Sequence, residues 1–508
     1  MIGLLWRNSR VIDEHSPGVE KNSSGYNLKE AFADGTLDLA KIVTGSEGTL
    51  AIVTEATLRL VELPKYRCSL VLFFDDLHKA GKAVLEARGY APSALEIMDE
   101  GVLNAARGID RTVDALVPEG SKTVLLVEFD GEDRSEIEER SRALEARVVR
   151  ELGLSAKAVF AGDSNESENL WKIRKAAVPI IMKTRERRRP IAFVEDVVVP
   201  PESLPDFLER LHAVLRGHSV DAPAYGHAGE GNIHVRPVLD LSCEEDIHKM
   251  EAVAREVYSL TKEVGGSPSG EHGDGLVRAQ FLKDFSAPLY KLFFWTKRIF
   301  DPKGILNPGK KIWDGTSISR NLRFGVSYAN VSTGTGFDDA RLMEQIERCH
   351  GCGMCRSVVN TTMCPVYRAV GDDKYSPRGK ANLLRAMISG SLSPDKLIAD
   401  PSFRELLGMC FGCRMCLSEC PTEVNIPLLV TTAKAEIARK YGIPFSDRLF
   451  CNFEIVAGLG SLTAPLSNLL MRLGSVRTAI QRLSGLSRAR TMPAFNRERF
   501  KPRRRSLL

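Results

Sequence analysis

The sequence predicts an α+β protein with a helical C-terminal part, on three observations. Over residues 65–313, strand-like runs mix with helically spaced ones, which suggests helices layered on an antiparallel sheet. Residues 1–64 are β-rich and punctuated by glycine. From about residue 338, helical spacing is interrupted by cysteine runs. Within the first part, Leu39–Val43 and Thr49–Val61 read as β-rich runs around the turn Thr44-Gly45-Ser46-Glu47-Gly48. Further on, Cys68–Phe74, Thr123–Phe129 and Ile191–Val199 read as strands. The unbroken Val124-Leu125-Leu126-Val127 predicts burial on both faces as far as Glu128. Glu136–Leu152, Leu204–Arg216 and the longer Glu244–Val264 have helical spacing. Asp314–Thr335, rich in Ser, Asn, Thr and Gly, reads as a linker. The expected organisation is residues 1–64, 65–313, a linker at 314–335, a helical region at 336–440 and a basic amphipathic tail at 441–508.

Composition narrows the function classes. The chain has 508 residues, 43% apolar and 27% charged, which suits about three domains. Its 41 Gly and 25 Pro show no period, which excludes a collagen-like chain. The uncharged stretch Ile455–Met471 is shorter than the roughly 20 mainly apolar residues of a spanning helix. Met1–Trp6 runs into Arg7 with no apolar signal region. A cytoplasmic protein is expected. Peripheral contact with the cytoplasmic face of a membrane, through Leu459–Leu473 and the basic run Lys501–Arg505, is a further reading. Residues 441–508 carry twelve Lys+Arg against three Asp+Glu, so the first 440 residues are net negative although the whole chain is +5. The charge does not point to a nucleic-acid-binding body.

Eight of the eleven cysteines crowd into Cys349–Cys420, with only Cys68, Cys243 and Cys451 elsewhere. They form two motifs, Cys349-x2-Cys352-x2-Cys355-x8-Cys364-Pro365 and Cys410-x2-Cys413-x2-Cys416-x3-Cys420-Pro421. Three Cys at two-residue intervals let a short loop direct three thiolates at one 4Fe–4S cubane. A Cys followed by Pro supplies the fourth ligand. A single C-x2-C pair would equally suit zinc, but structural zinc sites use paired rather than tripled spacing. In two-cluster ferredoxins the fourth Cys serves the other cluster. On that pattern Cys349, Cys352, Cys355 and Cys420 hold one cluster, and Cys410, Cys413, Cys416 and Cys364 the other. The departure is the eight-residue gap before Cys364, which an inserted loop at 356–363 would accommodate.

A second anomaly is Tyr225-Gly226-His227-Ala228-Gly229-Glu230-Gly231-Asn232-Ile233-His234, leading into a strand at Ile233–Val238, together with Ser269-Gly270-Glu271-His272-Gly273-Asp274-Gly275. His227, His234, His272 and Glu271 would suffice for a metal and a base, and such ligands suit Zn, Mn or Fe. A metal there would hold the hydroxyl and carboxylate of a 2-hydroxy acid while a neighbouring His takes a proton. The plainer alternative is that each His only hydrogen-bonds within a turn. Trp171-Lys172-Ile173-Arg174-Lys175 fits either an ordinary helix or a role for Arg174 toward a substrate carboxylate.

Several strings resemble one family. Lys21-Asn22-Ser23-Ser24-Gly25-Tyr26 and Gly45-Ser46-Glu47-Gly48-Thr49-Leu50-Ala51-Ile52-Val53-Thr54-Glu55 are similar to the end of the flavin-binding domain of FAD-linked oxidases of the vanillyl-alcohol oxidase type. The two His/Glu strings, and Phe300-Asp301-Pro302-Lys303-Gly304-Ile305-Leu306-Asn307-Pro308-Gly309-Lys310, resemble the C-terminal domain of the D-lactate, glycolate and D-2-hydroxyglutarate dehydrogenase group. The cysteine region, with Ser376-Pro377-Arg378-Gly379-Lys380 between its motifs, resembles the iron–sulfur module fused behind such oxidases.

The resemblance implies a partial flavin-binding α+β domain, an antiparallel-sheet FAD-oxidase C-terminal domain and an α-helical two-cluster ferredoxin-like domain. It implies FAD, with Lys21, Asn22, Ser23, Ser24, Gly25, Tyr26, Gly45, Ser46, Glu47, Gly48, Thr49 and Ile52 lining it. It implies His227, His234 and Glu271 as divalent-metal ligands, His272 as the base and Arg174 on the substrate carboxylate. Family members carry more of the flavin domain before the Lys-Asn-Ser-Ser-Gly-Tyr string, and long fused members continue past the clusters. The chain is therefore expected to be the middle of a larger protein, truncated, mis-started or split across chains; in the last case another chain would supply the missing half of the flavin domain.

The function expected is a D-2-hydroxy-acid dehydrogenase of the D-lactate or D-2-hydroxyglutarate type. Its electrons would pass from FAD through two 4Fe–4S clusters to a quinone, a cytochrome or an electron-transfer flavoprotein. The alternative is a non-catalytic electron-transfer subunit that depends on a partner for FAD.

Overall fold

The computed structural model describes residues 1–33, 35–107, 115–181, 188–326, 332–359, 363–490 and 492–497. The basic run Lys501–Arg505 and part of the linker at 314–335 lie outside the described residues. The chain divides into two compact units, one of residues 1–330 with Cys420–Glu423, the other of residues 331–419 and 424–508.

The first unit is built on a seven-stranded sheet. Its strands are β1 (Tyr66–Phe74), β2 (Ala94–Asp99), β3 (Thr123–Gly131), β4 (Lys157–Ala161), β5 (Val197–Val198), β6 (Ala224–His227) and β7 (Asn232–Val235). They lie in the order β4-β1-β3-β2-β6-β7-β5, and each neighbouring pair is antiparallel. Helices cover both faces. On one face α1 (Leu77–Arg88), α3 (Arg134–Glu145), α5 (Leu204–Gly217) and α6 (Glu244–Glu263) pack against Leu70, Leu72, Ile97, Leu125 and Val127. On the other α2 (Glu100–Ala106) and α4 (Ser164–Ile181) pack against Val71, Phe73, Met98, Val124 and Leu126. Successive residues of β3 thus enter different cores, which is why its sequence is apolar without alternation. Each such buried side chain contributes roughly 1.5–3 kcal/mol.

Several expected elements differ. Glu128 does not mark the end of burial: it is 6% exposed, accepts from Trp171 Nε1 at 2.5 Å and pairs with Arg67 at 3.3 Å. The helix expected at Glu136–Leu152 ends as an α-helix at Glu145 and continues as a wider π-helical turn over Ala146–Glu151. Ile191–Val199 keeps only the two residues of β5, because Asp196, left-handed at φ +76°, interrupts the run just before them. The strand at Ile233–Val238 breaks after Val235 and resumes as Val238–Leu239.

The N-terminal part is not mainly β. Ile2–Arg7, Ser9–His15 and Leu39–Val43 are helices, and the strands there are the pair Phe32–Ala33 and Thr36–Leu37. Leu39–Val43 is helical because the Asp38 side chain caps it, accepting from Ala40 N and Lys41 N, while Ile42 is buried. Thr49–Val61 has a strand's composition, but among the described residues no strand lies beside it to complete a ladder. The first fifty residues pack instead on α8 (Ala287–Phe300), with Tyr26, Leu28, Ile42 and Leu50 against Leu289, Leu292 and Phe293.

The second unit is helical. Its helices include Ala340–Glu347, Pro377–Ile388, Pro401–Gly408 and Ile426–Tyr441, followed by four more from Phe445 to Ser484. No single helix among the described residues is long and apolar enough to cross a membrane; Phe453–Leu462 and Ala464–Leu470 pass by composition only as a pair bent by 106°.

A cleft of about 790 Å³ opens where β2 meets α2 and α5, lined by Asp99, His212 and Arg216 among others. Burial pushes the Asp99 carboxyl up to about 7, although it caps α2 by accepting from Val102 N at 3.1 Å. Between its ordinary range and pH 7 the folded chain keeps a proton that the unfolded chain releases, so stability falls as pH rises through that window. Asp99→Asn, which keeps the cap, is predicted to raise the melting temperature at pH 8 more than at pH 5. An equal effect at both pH values in thermal unfolding would contradict the assignment.

Candidate functional site

The site grows out of sheet register. Glu96 of β2 stands directly across from His227 of β6, which stands across from Asn232 of β7, while Tyr225 faces His234. Residues two apart on a strand share a face, so Glu96, His227, Tyr225, Asn232 and His234 all project to one side. Ile97, Ala224, Ile233 and Val235 go into the core on the other. The turn Ala228–Glu230, closed by left-handed Gly231 at φ +72°, joins the two histidine strands.

The loop Ser269–Asp274 brings the remaining groups to that face. The Glu271 Oε1 atom lies 3.1 Å from His227 Nε2, 3.3 Å from His234 Nε2 and 3.8 Å from His272 Nε2. The His272 ring stacks on His234 at 5.1 Å and 15°. Carboxylates brace the far side of the rings. Glu96 Oε1 bonds His227 Nδ1 at 2.5 Å, and Glu195 Oε1 lies 2.6 Å from His272 Nδ1 and 3.5 Å from His234 Nδ1. Arg236 and Arg278 each approach Glu195 at 3.2 Å.

These contacts set the charge states. The hydrogen bond from His234 holds Glu271 down to about 2, helped by His227 and Lys21. Glu195 stays well below the usual carboxylate range: burial opposes its ionisation, but bonds from His234 and His272 and the nearby Arg236 outweigh it. The Glu195 bond raises His272.

Two ligand atoms on one tetrahedral zinc-like ion, each at about 2.0–2.2 Å, stand roughly 3.4 Å apart. The spacings of Glu271 Oε1 from the His227 and His234 nitrogens match that edge, and both rings have a carboxylate behind them, as metal-ligating imidazoles usually do. Asp196 is close enough to be counted with His234, Glu271 and His272 as a ligand. Its two oxygens are already taken, by Ser269 Oγ at 2.6 Å, His272 N at 2.9 Å, Asn232 Nδ2 at 3.1 Å and Glu271 N at 3.2 Å. It anchors the loop and is not a ligand.

Arg174, on α4, donates Nε to Glu96 Oε2 at 2.7 Å and lies over the Tyr225 ring at 4.8 Å. Its terminal nitrogens have no protein hydrogen-bond partner among the described residues.

The segment 21–26 and the turn 45–49 line the same loop. Lys21 reaches Glu230 at 3.4 Å and Glu271 at 3.8 Å. Asn22 accepts from Ser267 Oγ, and Ser23 N donates to Ser269 O. Ser24 Oγ and Gly25 N both donate to buried Asp274, at 2.5 and 2.7 Å. The Tyr26 hydroxyl meets Thr49 Oγ1 at 2.7 Å, and Glu47 accepts from Asp274 N and Gly275 N. Ser46 is buried, Gly45 and Gly48 are exposed, and Ile52 is 79% exposed. Ser24, Tyr26, Glu47 and Thr49 therefore brace the loop, while Lys21 is half-buried and Asn22, Gly45 and Gly48 are exposed.

In the second unit the two cysteine loops share a backbone. Gly351 and Gly353 are left-handed at φ +84° and +81°, and the corresponding Gly412 and Arg414 at +71° and +65°. Paired left-handed residues curl each loop in the same way, a backbone conformation suited to gathering amides around an anion. Cys349 and Cys416 are buried, Cys355, Cys364 and Cys410 half-buried, Cys352 and Cys413 exposed, and none of them is in a disulfide. Cys420, half-buried, lies 3.5 Å from Thr422 Oγ1.

The profile of FAD-linked oxidase C-terminal domains matches residues 63–311, and that of 4Fe-4S dicluster domains matches residues 345–424. The stretch similar to FAD-linked oxidase C-terminal domains holds the entire histidine–glutamate site, and the stretch similar to dicluster domains holds all eight motif cysteines. The D-2-hydroxyglutarate dehydrogenase of Haemophilus influenzae is 28% identical over 532 residues, covering 94% of this chain and 51% of that protein. The glycolate oxidase subunit GlcD of Escherichia coli is 32% identical over 65% of this chain and 63% of its own length. The D-lactate dehydrogenase of Archaeoglobus fulgidus is 31% identical over 60% of this chain and 62% of its own. The chain spans about half the length of the D-2-hydroxyglutarate dehydrogenases it matches.

Sequence reasoning missed Glu96, Glu195, Asp196 and Asn232. The signal was there: Glu96 interrupts Leu95-Glu96-Ile97, and Glu195-Asp196 sit inside Phe193–Val199. A charge within a run buried on both faces needs a buried partner.

Two predictions follow from this geometry. Glu96→Gln should weaken divalent-metal binding by about 10–100-fold while the iron content stays constant, read by competition with a chromogenic chelator; unaltered affinity would contradict the bracing role. Arg414 occupies a left-handed position that costs a non-glycine residue about 1–2 kcal/mol. Arg414→Gly should therefore keep both clusters and slow iron loss to a chelator, and faster loss would count against the shared loop geometry.

Proposed function

We propose that the chain is the substrate-oxidising and electron-relaying part of an FAD- and iron–sulfur-dependent D-2-hydroxy-acid dehydrogenase, of the D-lactate or D-2-hydroxyglutarate type. The observation that carries this is the convergence of His227 and His234 on Glu271, with His272 stacked beside them. It is supported by relatives named for D-2-hydroxyglutarate and D-lactate.

His227, His234 and Glu271 would hold a divalent ion, Zn, Mn or Fe, supplying a Lewis acid for the substrate hydroxyl and carboxylate. Arg174, fixed by Glu96 and Tyr225, offers its free terminal nitrogens to the carboxylate. With Nδ1–H donating to Glu195, the His272 Nε2 lone pair is available to take the hydroxyl proton, and Glu195 stabilises the imidazolium that results. FAD would supply the acceptor for the C2 hydride, and the clusters would supply a path for single electrons toward a quinone, a cytochrome or an electron-transfer flavoprotein. Lys21, Asn22 and the Gly45–Gly48 turn would face the flavin, with Ser23, Ser24, Gly25, Tyr26, Ser46, Glu47 and Thr49 bracing that wall. The cysteines would divide as Cys349, Cys352, Cys355 with Cys420, and Cys410, Cys413, Cys416 with Cys364. The domain limits proposed are 1–64, 65–313, 336–440 and 441–508, with the linker at 314–335; the protein is proposed to be cytoplasmic.

One observation favours a second reading. Ile52, Val53, Leu58, Leu60, Val61 and Leu63 are all more than 60% exposed in a segment without regular structure. Such a segment would pair with a strand from another chain that completes the flavin domain, and this chain alone would then be an electron-transfer part.

The test is to purify the chain anaerobically, release flavin with acid and quantify it against iron, then add D-lactate or D-2-hydroxyglutarate. About one FAD and eight iron per chain, with flavin bleached by substrate, is the expected result. His272→Ala should slow bleaching by about 10²–10⁴-fold with cluster absorbance unchanged. Undiminished reduction would overturn the base assignment, and iron without flavin would favour the second reading.

A further inference from the structure

Between the two cysteine motifs, helix Pro377–Ile388 presents two cations at its start. It is capped by Ser376, and Gly379 lets it approach the turn at Asp373–Tyr375, where a Cβ would lie 2.3 Å from Asp373 O. The two cations differ in their surroundings. Arg378 reaches into the first motif, with Nη1 3.4 Å from Gly351 O, and its charge is felt by Cys355 and Cys349. It pairs with Asp373, whose Oδ2 lies 2.8 Å from Nη2 and whose Oδ1 lies 3.5 Å from Arg356 Nε, and this group is open to solvent, with the three side chains 23–47% exposed.

Lys380 is 2% exposed and forms no ion pair with a carboxylate among the described residues. Its Nζ donates to Tyr375 O, the same carbonyl that Cys364 Sγ meets at 3.8 Å. Burial disfavours its protonated form, and negative charge on Cys364, Cys410, Cys416 and Cys355 favours it. Three of these four belong to the set proposed above for the second cluster. A buried, uncompensated ammonium is costly unless negative charge stands beside it. Thiolates ligating a cluster would be that charge.

We propose that Lys380 sets the order of the electron relay: its unpaired charge raises the reduction potential of the cluster on Cys364, Cys410, Cys413 and Cys416 above that of the cluster on Cys349, Cys352 and Cys355. The inference rests on the assignment of two 4Fe–4S clusters to these cysteines. Reducing a cluster adds one electron and so one negative charge, which a nearby cation stabilises. The Arg356–Asp373–Arg378 group carries one net positive charge but is screened by solvent, so it offers the first cluster less field than buried Lys380 offers the second. Transfer between them is then downhill, with one electron oxidising the first cluster and reducing the second and no proton moved. Electrons collected from a reduced flavin would pool on the second cluster.

The experiment is a dithionite potentiometric titration of the purified full chain, followed by electron paramagnetic resonance, with iron quantified first. Eight iron per chain and two 4Fe–4S signals test the assignment of clusters; the shifts test the role of Lys380. Lys380→Met should lower the higher of the two midpoint potentials and leave the lower one in place, while Lys380→Arg should keep both near wild type. Arg378→Gln, in a half-exposed position, should leave the higher step unmoved. A full iron complement with unshifted potentials in Lys380→Met would overturn the proposal. So would a shift of the lower step alone, or a drop in the higher step in Arg378→Gln as large as in Lys380→Met. Loss of iron in Lys380→Met that Lys380→Arg repairs would assign the residue to cluster retention and overturn it equally.

Discussion

The first unit depends on the buried carboxylate of Asp196. It is fully buried and left-handed, and it interrupts an apolar run just before the short strand β5. Its oxygens gather Asn232 from β7 and Ser269, Glu271 and His272 from the loop. One anion thereby fixes a loop against a sheet edge, and the loop carries both Glu271 and His272. The positive φ costs of order 1–3 kcal/mol, and the hydrogen bonds to a charged acceptor, each about 1.5–3 kcal/mol, offset it. Without them Glu271 would have no reason to stand between two histidines that arrive from different strands.

From this anchor the site's electrostatics follow in two layers. Glu96 and Glu195 sit behind the imidazoles, each charge-compensated by arginine: Arg174 for Glu96, Arg236 and Arg278 for Glu195. The rings are held in position and in tautomer before any ion or substrate arrives, which is how a site reduces the reorganisation its chemistry needs. The same logic recurs in the second unit, where backbone conformation does the work instead. Paired left-handed residues shape each cysteine loop, and the residues between the motifs bring Arg378 and Lys380 toward the thiols.

The sequence made much of this legible because the functional residues stand out from their surroundings. Tripled cysteines, and histidines between glycines, have few structural uses at such spacing, and His227, His234 and Glu271 do meet. Central strands were readable because burial on both faces leaves an unbroken apolar run. The bracing carboxylates were not, because Glu96, Glu195 and Asp196 look like interruptions of strands until the sheet register supplies their partners. The N-terminal part misled for a different reason. Thr49–Val61 has strand composition, yet a strand exists only beside another, and Leu39–Val43 was turned helical by one capping aspartate. Local propensity yields to context in both places.

The most direct test of the account is X-ray absorption at the zinc edge on the zinc-loaded chain with its clusters intact. The account predicts a first shell of nitrogen and oxygen, with imidazole scattering from two histidines and no sulfur. A sulfur shell, or a nitrogen shell unchanged in Glu271→Gln and His234→Ala, would place the metal elsewhere and contradict it.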